Sequence, residues 1–507
     1  MYNVVIFTDI TDNIVSMPNL GPYKCAHVLR KSGYSCLVVN HLSSYSYEDL
    51  TELIDVAVSD DTFLVGFSST FLKDVQIEKD PTKPTLPYKE IGMNTVFPQG
   101  KEFEDRVVAY LKSKNTKIKL VAGGAKVTPQ YFNRNIDYVC VGYSEISVVN
   151  LADHLTKNIA LNNSFKNIMG VTIVDDRLAK SYDFPNEDMM WEDIDVVNHK
   201  ALPIEIGRGC IFRCKFCSFP LMGKKTLDFV KHPDILQREL EHNYEQYGIT
   251  NYMLGDDTFN DHPEKLNSIL SVVKKLKFQP IFWGYHRLDL LCTRPETVQI
   301  LYDIGVRAMY FGIESLHPAA AKAVGKGHDR TKQIKMVEKI RSMYDDLTLH
   351  GSFIVGLPGE DVASVTQTYN YLMDQTMPLN SWRFHGLLIA TPDGASFESE
   401  FTANYPKYGY ENQGILDSIW INWKNEFMDA SKARELANQF NYESRLNDAF
   451  ALEGNLCMPL TTMGYDFNKL RTTKWKEFDF NNVEYNVRPK FIEEYKKKLI
   501  DIIKEKL

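Results

Sequence analysis

The stretch LPIEIGRGCIFRCKFCSFP, from Leu202 to Pro220, joins a short alternating apolar run to three cysteines spaced C-x-x-x-C-x-x-C, at Cys210, Cys214 and Cys217. Alternation with a period of two marks LPIEIG as a strand, so the cysteines lie in the loop that follows it. Five more strand-like runs come after: YMLGDD at 252, IFWGYHR at 281, RAMYFGIES at 307, HGSFIVGLP at 350 and FHGLLIATP at 384, with helical stretches between. In one of these, Ile334, Val337, Ile340 and Met343 recur at spacing three and predict a buried helix face. Six strand–helix units predict an incomplete parallel (β/α)6 barrel over residues 201–400, with its active site at the carboxyl ends of the strands.

Upstream, VVIF at 4, CLVV at 36, FLVGF at 63, LVAGG at 120 and YVCVG at 138 alternate with amphipathic helical stretches such as GPYKCAHVLRKSG from Gly21. That rhythm predicts a five-stranded doubly wound α/β domain over residues 1–160, whose ligand would lie beyond the carboxyl ends of its strands. Residues 74–100, rich in Lys, Pro and Thr, read as a loop over that edge. Residues 161–200 read as a linker or hairpin turning at Asp175-Asp176. Beyond residue 400 helical patterns predict a C-terminal helical cap over 401–507, ending in an apolar stripe of Phe491, Tyr495, Leu499, Ile502 and Ile503 that is expected to dock on its own protein.

The 507 residues predict about two to four domains, and 44% hydrophobic with 24% charged residues is the composition of a folded soluble protein. No apolar run approaches the roughly 20 residues of a membrane span, and MYNVVIFTDI lacks the features of a secretory signal, which predicts a cytoplasmic protein. A net charge of −8 argues against a protein that coats nucleic acid, while leaving a nucleic-acid substrate open. Cys25, Cys36, Cys140, Cys292 and Cys457 stand singly in apolar surroundings and read as core residues.

Chance is a poor account of the other three: a shuffled chain of this composition would hold roughly 0.002 such patterns. Structural zinc sites close with four ligands, and no cysteine or histidine follows at the usual spacing, the next histidine being His232. Three thiolates instead suit a [4Fe–4S] cluster with one iron open to a chelating substrate, whereas an electron carrier of the ferredoxin type has four protein ligands.

The cysteine loop, with the aromatic Phe216 before its last cysteine, resembles that of the radical S-adenosylmethionine (SAM) superfamily. The resemblance covers about residues 195–400, more weakly 1–158, and implies a cluster on Cys210, Cys214 and Cys217 whose open iron chelates SAM. It further implicates Asp256 or Asp257 of YMLGDDTFND with the SAM ammonium, Arg287 of WGYHRLDLL with its carboxylate, and Glu314 and Ser315 of MYFGIESL with its polar groups. Gly356 of GSFIVGLPGED would let backbone approach the adenine. Blander readings stand beside these: an N-cap at Asp261, an Arg287–Glu314 ion pair, and a plain turn at Gly356. Tyr285, His286 and Tyr310 read as barrel-core aromatics, with a cavity wall as the alternative.

A doubly wound domain before such a barrel resembles the cobalamin-binding arrangement of B12-dependent radical SAM enzymes. Ser68 and Ser69 after the third strand and Gly123 and Gly124 at the end of the fourth would then contact cobalamin. The Asp-x-His-x-x-Gly pattern of histidine-ligating cobalamin domains is missing from FTDITDNIVSMPNLGPYK, so a lower axial histidine is not expected. Methylthiotransferases would bring three further clustered cysteines, which this chain lacks. The resemblance implies a methyltransferase acting on an unactivated carbon of a small-molecule or peptide substrate and served by a reductase such as flavodoxin or ferredoxin; a cobalamin-free radical SAM enzyme and an iron–sulfur electron carrier are the rivals.

Overall fold

In the computed structural model the described residues are 2–9, 18–68, 97, 99–124, 135–166, 170–176, 182–219, 221, 223–225, 227–327, 329–391, 398–417 and 420–506. Ser69 and most of the 74–100 segment lie outside them. The chain divides into two compact units, one of Met1–Asp183, Met189–His199 and Phe480–Leu507, the other of Phe184–Asp188 and Lys200–Asp479.

The first unit holds β1 (Val4–Phe7), β2 (Cys36–Val39), β3 (Leu64–Ser68), β4 (Lys119–Gly124), β5 (Tyr138–Val141), β6 (Ser164–Lys166) and β7 (Thr172–Asp175) in the order β2-β1-β3-β4-β5-β7-β6. All neighbours are parallel except β6 and β7. The apolar run of each central strand reflects burial on both faces of a parallel sheet. All five expected strands form, but residues 161–200 do more than link. β7 joins the sheet beside β5, burying Ile173 and Val174, and the chain reverses between Lys166 and Thr172. The expected turn at Asp175-Asp176 is therefore corrected: Asp175 pairs with Val141 as the last residue of β7.

In the second unit, β8 (Ala201–Ile204), β9 (Asn251–Leu254), β10 (Ile281–His286), β11 (Val306–Glu314), β12 (Thr348–Val355) and β13 (Ser381–Gly386) pair in sequence order, all parallel. This is the open six-stranded barrel expected. Alternate residues diverge sharply in character, as the period of two requires. One face carries Phe282, Phe311, Phe353 and Phe384, all buried. The other carries the row Tyr285, Tyr310, His350, Ser381 and, one step nearer the carboxyl ends, Gly312, Ser352, Arg383. On the helix Arg330–Met343 the buried face is Gln333, Met336, Val337 and Ile340; Met343 turns outward, because 3.6 residues per turn drifts off a strict spacing of three.

Residues 401–507 are not the single helical cap expected. They begin with a short helix and a hairpin of β14 (Glu411–Asp417) and β15 (Trp420–Lys424). The helix Gly454–Thr462 is buried at eight of its nine positions, lies at the amino ends of the barrel strands with Gly454 against the Trp283 indole, and receives the Lys200 amide at the Thr462 carbonyl. It floors the barrel. The last helix, Arg488–Glu505, belongs to the first unit and buries Phe491, Ile492, Tyr495, Leu499 and Ile503 there. Arg488 donates to Ser44 at 2.8 Å, and Lys496 pairs with Asp49 and Glu52. The apolar stripe thus docks on its own chain.

Two buried histidines sit where this helix docks. The His41 ring meets Tyr495 edge-on at 4.8 Å and lies 5.9 Å from His199, and neither ring nitrogen of His199 has a hydrogen-bond partner. Burial pushes His199 down to about 3 and holds His41 well below its ordinary value. Because the unfolded chain takes up protons near pH 6.5 and the folded unit does not, stability is full above that pH and falls as pH drops through it. Each histidine is expected to remove up to ~1.4 kcal/mol per pH unit. Urea unfolding followed at pH 7.5 and 5.5 checks this, and His199→Phe is expected to shrink the pH dependence.

Candidate cluster and SAM site

The cysteine loop leaves β8 and folds back on itself. Gly223 and Lys224 amides donate to the Cys210 carbonyl, and the Cys217 amide to that of Cys214. The Lys215 amide donates to the Val324 carbonyl, and the Phe401 amide to that of Lys215, which ties the loop to the segments after β11 and β13. All three thiols are partly buried, and Phe216 between them is half-buried. Burial pushes the Cys217 thiol up to about 12 and raises that of Cys210. Metal binding must therefore displace protons from them.

Two polar groups face the sulfurs. Thr258 Oγ1 lies 3.3 Å from Cys210 Sγ, and Arg287 Nη1 donates to Cys214 Sγ at 3.3 Å. The Arg287 guanidinium also lies over the Phe212 ring at 3.7 Å and is gripped by Asp289, so the alternative of a pair with Glu314 gives way to a pair two residues away. Among the described residues, the only three His, Cys, Asp or Glu ligand atoms that gather within 4.8 Å of one another do not include these cysteines. One zinc, with Zn–S of about 2.3 Å, would need its thiolates within ~4.6 Å of each other. Three wider-set sulfurs with outer-shell donors fit a cluster.

The acidic pair at the end of β9 separates. Asp256 is 1% exposed; it accepts from the Ile206 amide at 2.8 Å and from Lys265 Nζ at 3.3 Å, so it braces β8 and is withdrawn from any ligand. Asp261, offered as an N-cap, instead pairs with Lys265 at 2.6 Å and with Lys224 at 3.7 Å, while His262 takes the cap position without a side-chain bond. Asp257 is half-buried, faces Cys210 and Cys217, and is pushed up to about 7 by burial and then by the Glu205 and Asp256 carboxylates.

Glu314 ends β11 with a φ of +68°, beside a register slip at Gly312, and its Oε1 lies 3.3 Å from Lys326 Nζ. Ser315 is turned away, donating to the buried Glu360 at 2.6 Å. Gly356, with φ +99°, does permit a close approach, but the group that approaches is Trp423: a Cβ there would overlap its ring. His286 is core, its Nδ1 against the Gly284 carbonyl, whereas Tyr285 is 45% exposed on the inner face. Thr258, Lys224, Lys265, Lys326 and Glu360 were not singled out from sequence; the i,i+4 pair Asp261–Lys265 was the available signal for one of them.

Residues 204–372 match the Radical SAM superfamily. The chain carries a radical SAM domain. An uncharacterised methyltransferase of Pyrococcus horikoshii is 26% identical over 285 residues, which is 52% of this chain and 60% of that protein. The bacteriochlorophyllide d C-8(2)-methyltransferase of Chlorobaculum tepidum is 25% identical over 46% of this chain and 52% of its own length. The radical SAM domain thus has relatives that are methyltransferases, of which this chain spans between half and three-fifths. Among solved structures, the radical SAM methyltransferase TsrM from Kitasatospora setae, held with tryptophan and a SAM analogue, superposes with a TM-score of 0.57 at 13% identity, covering 81% of this chain and 78% of that one. The cobalamin-dependent radical SAM enzyme OxsB, with aqua-cobalamin bound, gives 0.55 at 16% identity over 73% of this chain and 52% of its own. These likenesses show a shared α/β fold. Among the described residues no helix is long and apolar enough to cross a membrane.

The separate duties of the acidic pair predict opposite results. Asp256→Asn leaves the Lys265 ammonium short of one buried partner and is expected to cost about 3–5 kcal/mol in chemical unfolding. Asp257→Asn removes only a carboxylate that burial already disfavours, and is expected to unfold within ~0.5 kcal/mol of the parent.

Proposed function

We propose that this radical SAM protein is a cobalamin-dependent methyltransferase acting on an unactivated carbon. The observation that carries the reading is the pairing, in one chain, of the cysteine loop at the carboxyl end of β8 with a doubly wound sheet that has glycine at the ends of β4 and β5. Gly124 and Gly142, at the ends of β4 and β5, hold φ of +133° and +98°, and Ser68 ends β3. Glycine at a strand end lets a large flat ligand approach the backbone closely. The stretch from Phe7 to Lys24 holds no histidine, so this edge would hold cobalamin without a lower axial histidine. The methyltransferase relatives and the cobalamin bound by OxsB support the same reading.

When bound, the cluster, SAM and cobalamin supply the electron, the methyl group and its carrier. Cys210, Cys214 and Cys217 would hold the cluster, while Arg287 donates to the Cys214 sulfur and the Thr258 hydroxyl lies against that of Cys210. Asp257 would accept a charge-assisted hydrogen bond from the SAM ammonium. Lys326, paired with Glu314 and donating to the Gly312 carbonyl at 2.8 Å, orients the carboxyl group that would meet the polar groups of SAM. A low-potential donor such as flavodoxin or ferredoxin would serve as reductant.

Anaerobic reconstitution with iron and sulfide, followed by SAM deuterated at its methyl group and a reductant, tests this with and without hydroxocobalamin in an extract of the source organism. Corrinoid retention and label entering an extract component only when corrinoid is present are expected. Asp257→Asn is expected to weaken SAM binding about tenfold in equilibrium dialysis, a loss of ~1.4 kcal/mol. Formation of 5′-deoxyadenosine without corrinoid retention or label would sink the methyl-transfer reading.

A further inference from the structure

The side of the barrel formed by β12 and β13 carries charge that the chemistry above leaves unused. Parallel register sets Ser352 beside Arg383 and Ile354 beside His385 on one face. The intervening residues pack outward, the Trp382 indole donating to Ser444 and the Phe384 ring lying 5.2 Å from Phe440. Arg383 and His385 therefore face the interior, as do Tyr285 and Tyr310, whose rings meet edge-on at 5.0 Å to form an aromatic wall.

The charges around Arg383 do not balance. Its Nη1 reaches the buried Glu453 carboxylate only at 3.6 Å, and Arg445 Nη2 takes the other oxygen of the same carboxylate at 3.4 Å while lying over the Trp475 ring at 4.3 Å. Two guanidiniums thus share one carboxylate. The remaining neighbours are uncharged at neutral pH: His350 is bonded to Ser381 and pushed down by burial to about 3, and His385 to about 4 by the walls around it. Higher in the barrel Arg208, Arg287 and Glu314 are paired with Glu205, Asp289 and Lys326. The Arg383 side chain is 36% exposed, so the surplus positive charge is open to the interior.

The geometry points to Arg383 as the anchor for an anionic substituent of the substrate, a carboxylate or phosphate, with the apolar body of that substrate against Tyr285 and Tyr310. This rests on the barrel interior being the substrate chamber of the methyl-transfer reaction. A guanidinium with a stretched partner recognises an anion by two parallel hydrogen bonds and discriminates against its neutral isostere, because the isostere leaves the charge uncompensated.

Calorimetric titration of the reconstituted, SAM-loaded protein with 2-naphthoate and with its neutral amide tests the assignment. The acid is expected to bind at least tenfold more tightly, Arg383→Gln to abolish that preference, and Tyr285→Ala to weaken both probes alike. Equal affinity for the two probes, failure of the acid to bind, or a preference that survives Arg383→Gln overturns it. Anion exchange of the extract labelled in the methyl-transfer experiment keeps the two readings apart: label in retained, acidic products supports the anchor, label only in neutral products overturns it while methyl transfer stands, and in the absence of any label the probe titration still decides.

Discussion

The ammonium of Lys265 is the interaction on which the cysteine-loop edge of the barrel depends. It is 1% exposed and surrounded by oxygen: Asp261 at 2.6 Å, the Thr258 carbonyl at 3.1 Å and Asp256 at 3.3 Å. Each partner belongs to a different piece of the site. Asp256 holds the Ile206 amide at the end of β8, Thr258 reaches the sulfur of Cys210, and Asp261 reaches Lys224, whose Nζ also donates to the Arg208 carbonyl at 3.0 Å. One buried cation thus sets both the strand that leads into the cysteine loop and the segment that returns from it. Desolvation works against the charge, and Asp261 and Asp256 overcome it, which keeps Lys265 protonated. Loss of either carboxylate would convert a satisfied network into a stranded buried charge, the costliest kind of polar defect.

Parallel pairing imposes the second constraint. Because every strand of the barrel runs the same way, residues at matching parity share a face, and one face must be apolar to pack under the helices. The freed face collects the polar side chains, and their row nearest the carboxyl ends is where the strands stop and loops begin. Trp283 and the buried helix Gly454–Thr462 close the opposite end, so the polar rows line a chamber with a floor rather than a pore. The floor comes from a segment more than 60 residues beyond the last barrel strand, which is why that segment is apolar on all sides instead of amphipathic.

Much of this was legible in the residues. Eleven strands announced themselves by alternation or by short apolar runs, and the cysteine loop by a spacing that chance does not give. Parity could not separate Asp256 from Asp257, since both lie past Leu254, where β9 ends and strand geometry no longer fixes direction. Thr258 and Lys224 are ordinary in sequence and gain a role only from neighbours about 48 and 37 positions away. The division of residues 401–507 was hidden for a similar reason: an apolar stripe states that a helix docks, and says nothing of which surface receives it. His41 and Tyr495, which receive and supply that contact, are 454 positions apart.

Glu314 shows how local strain and site geometry are coupled. A residue with a Cβ at φ +68° costs on the order of 1–3 kcal/mol, and such conformations persist only where surroundings overdetermine them. Here the register slips between Gly312 and Glu314, so that Glu314 rather than Ile313 pairs with Phe353, and the reversed backbone brings Oε1 into the space a side chain at Gly312 would fill. Lys326 then bridges the Gly312 carbonyl and the Glu314 carboxylate. A regular strand would have sent the side chain at 314 into line with the inner row and left Lys326 with one partner. The slip, the strained φ and the small residue two positions earlier are therefore one device, and its product is a carboxylate held at the rim of the chamber in a direction that an unstrained strand does not offer.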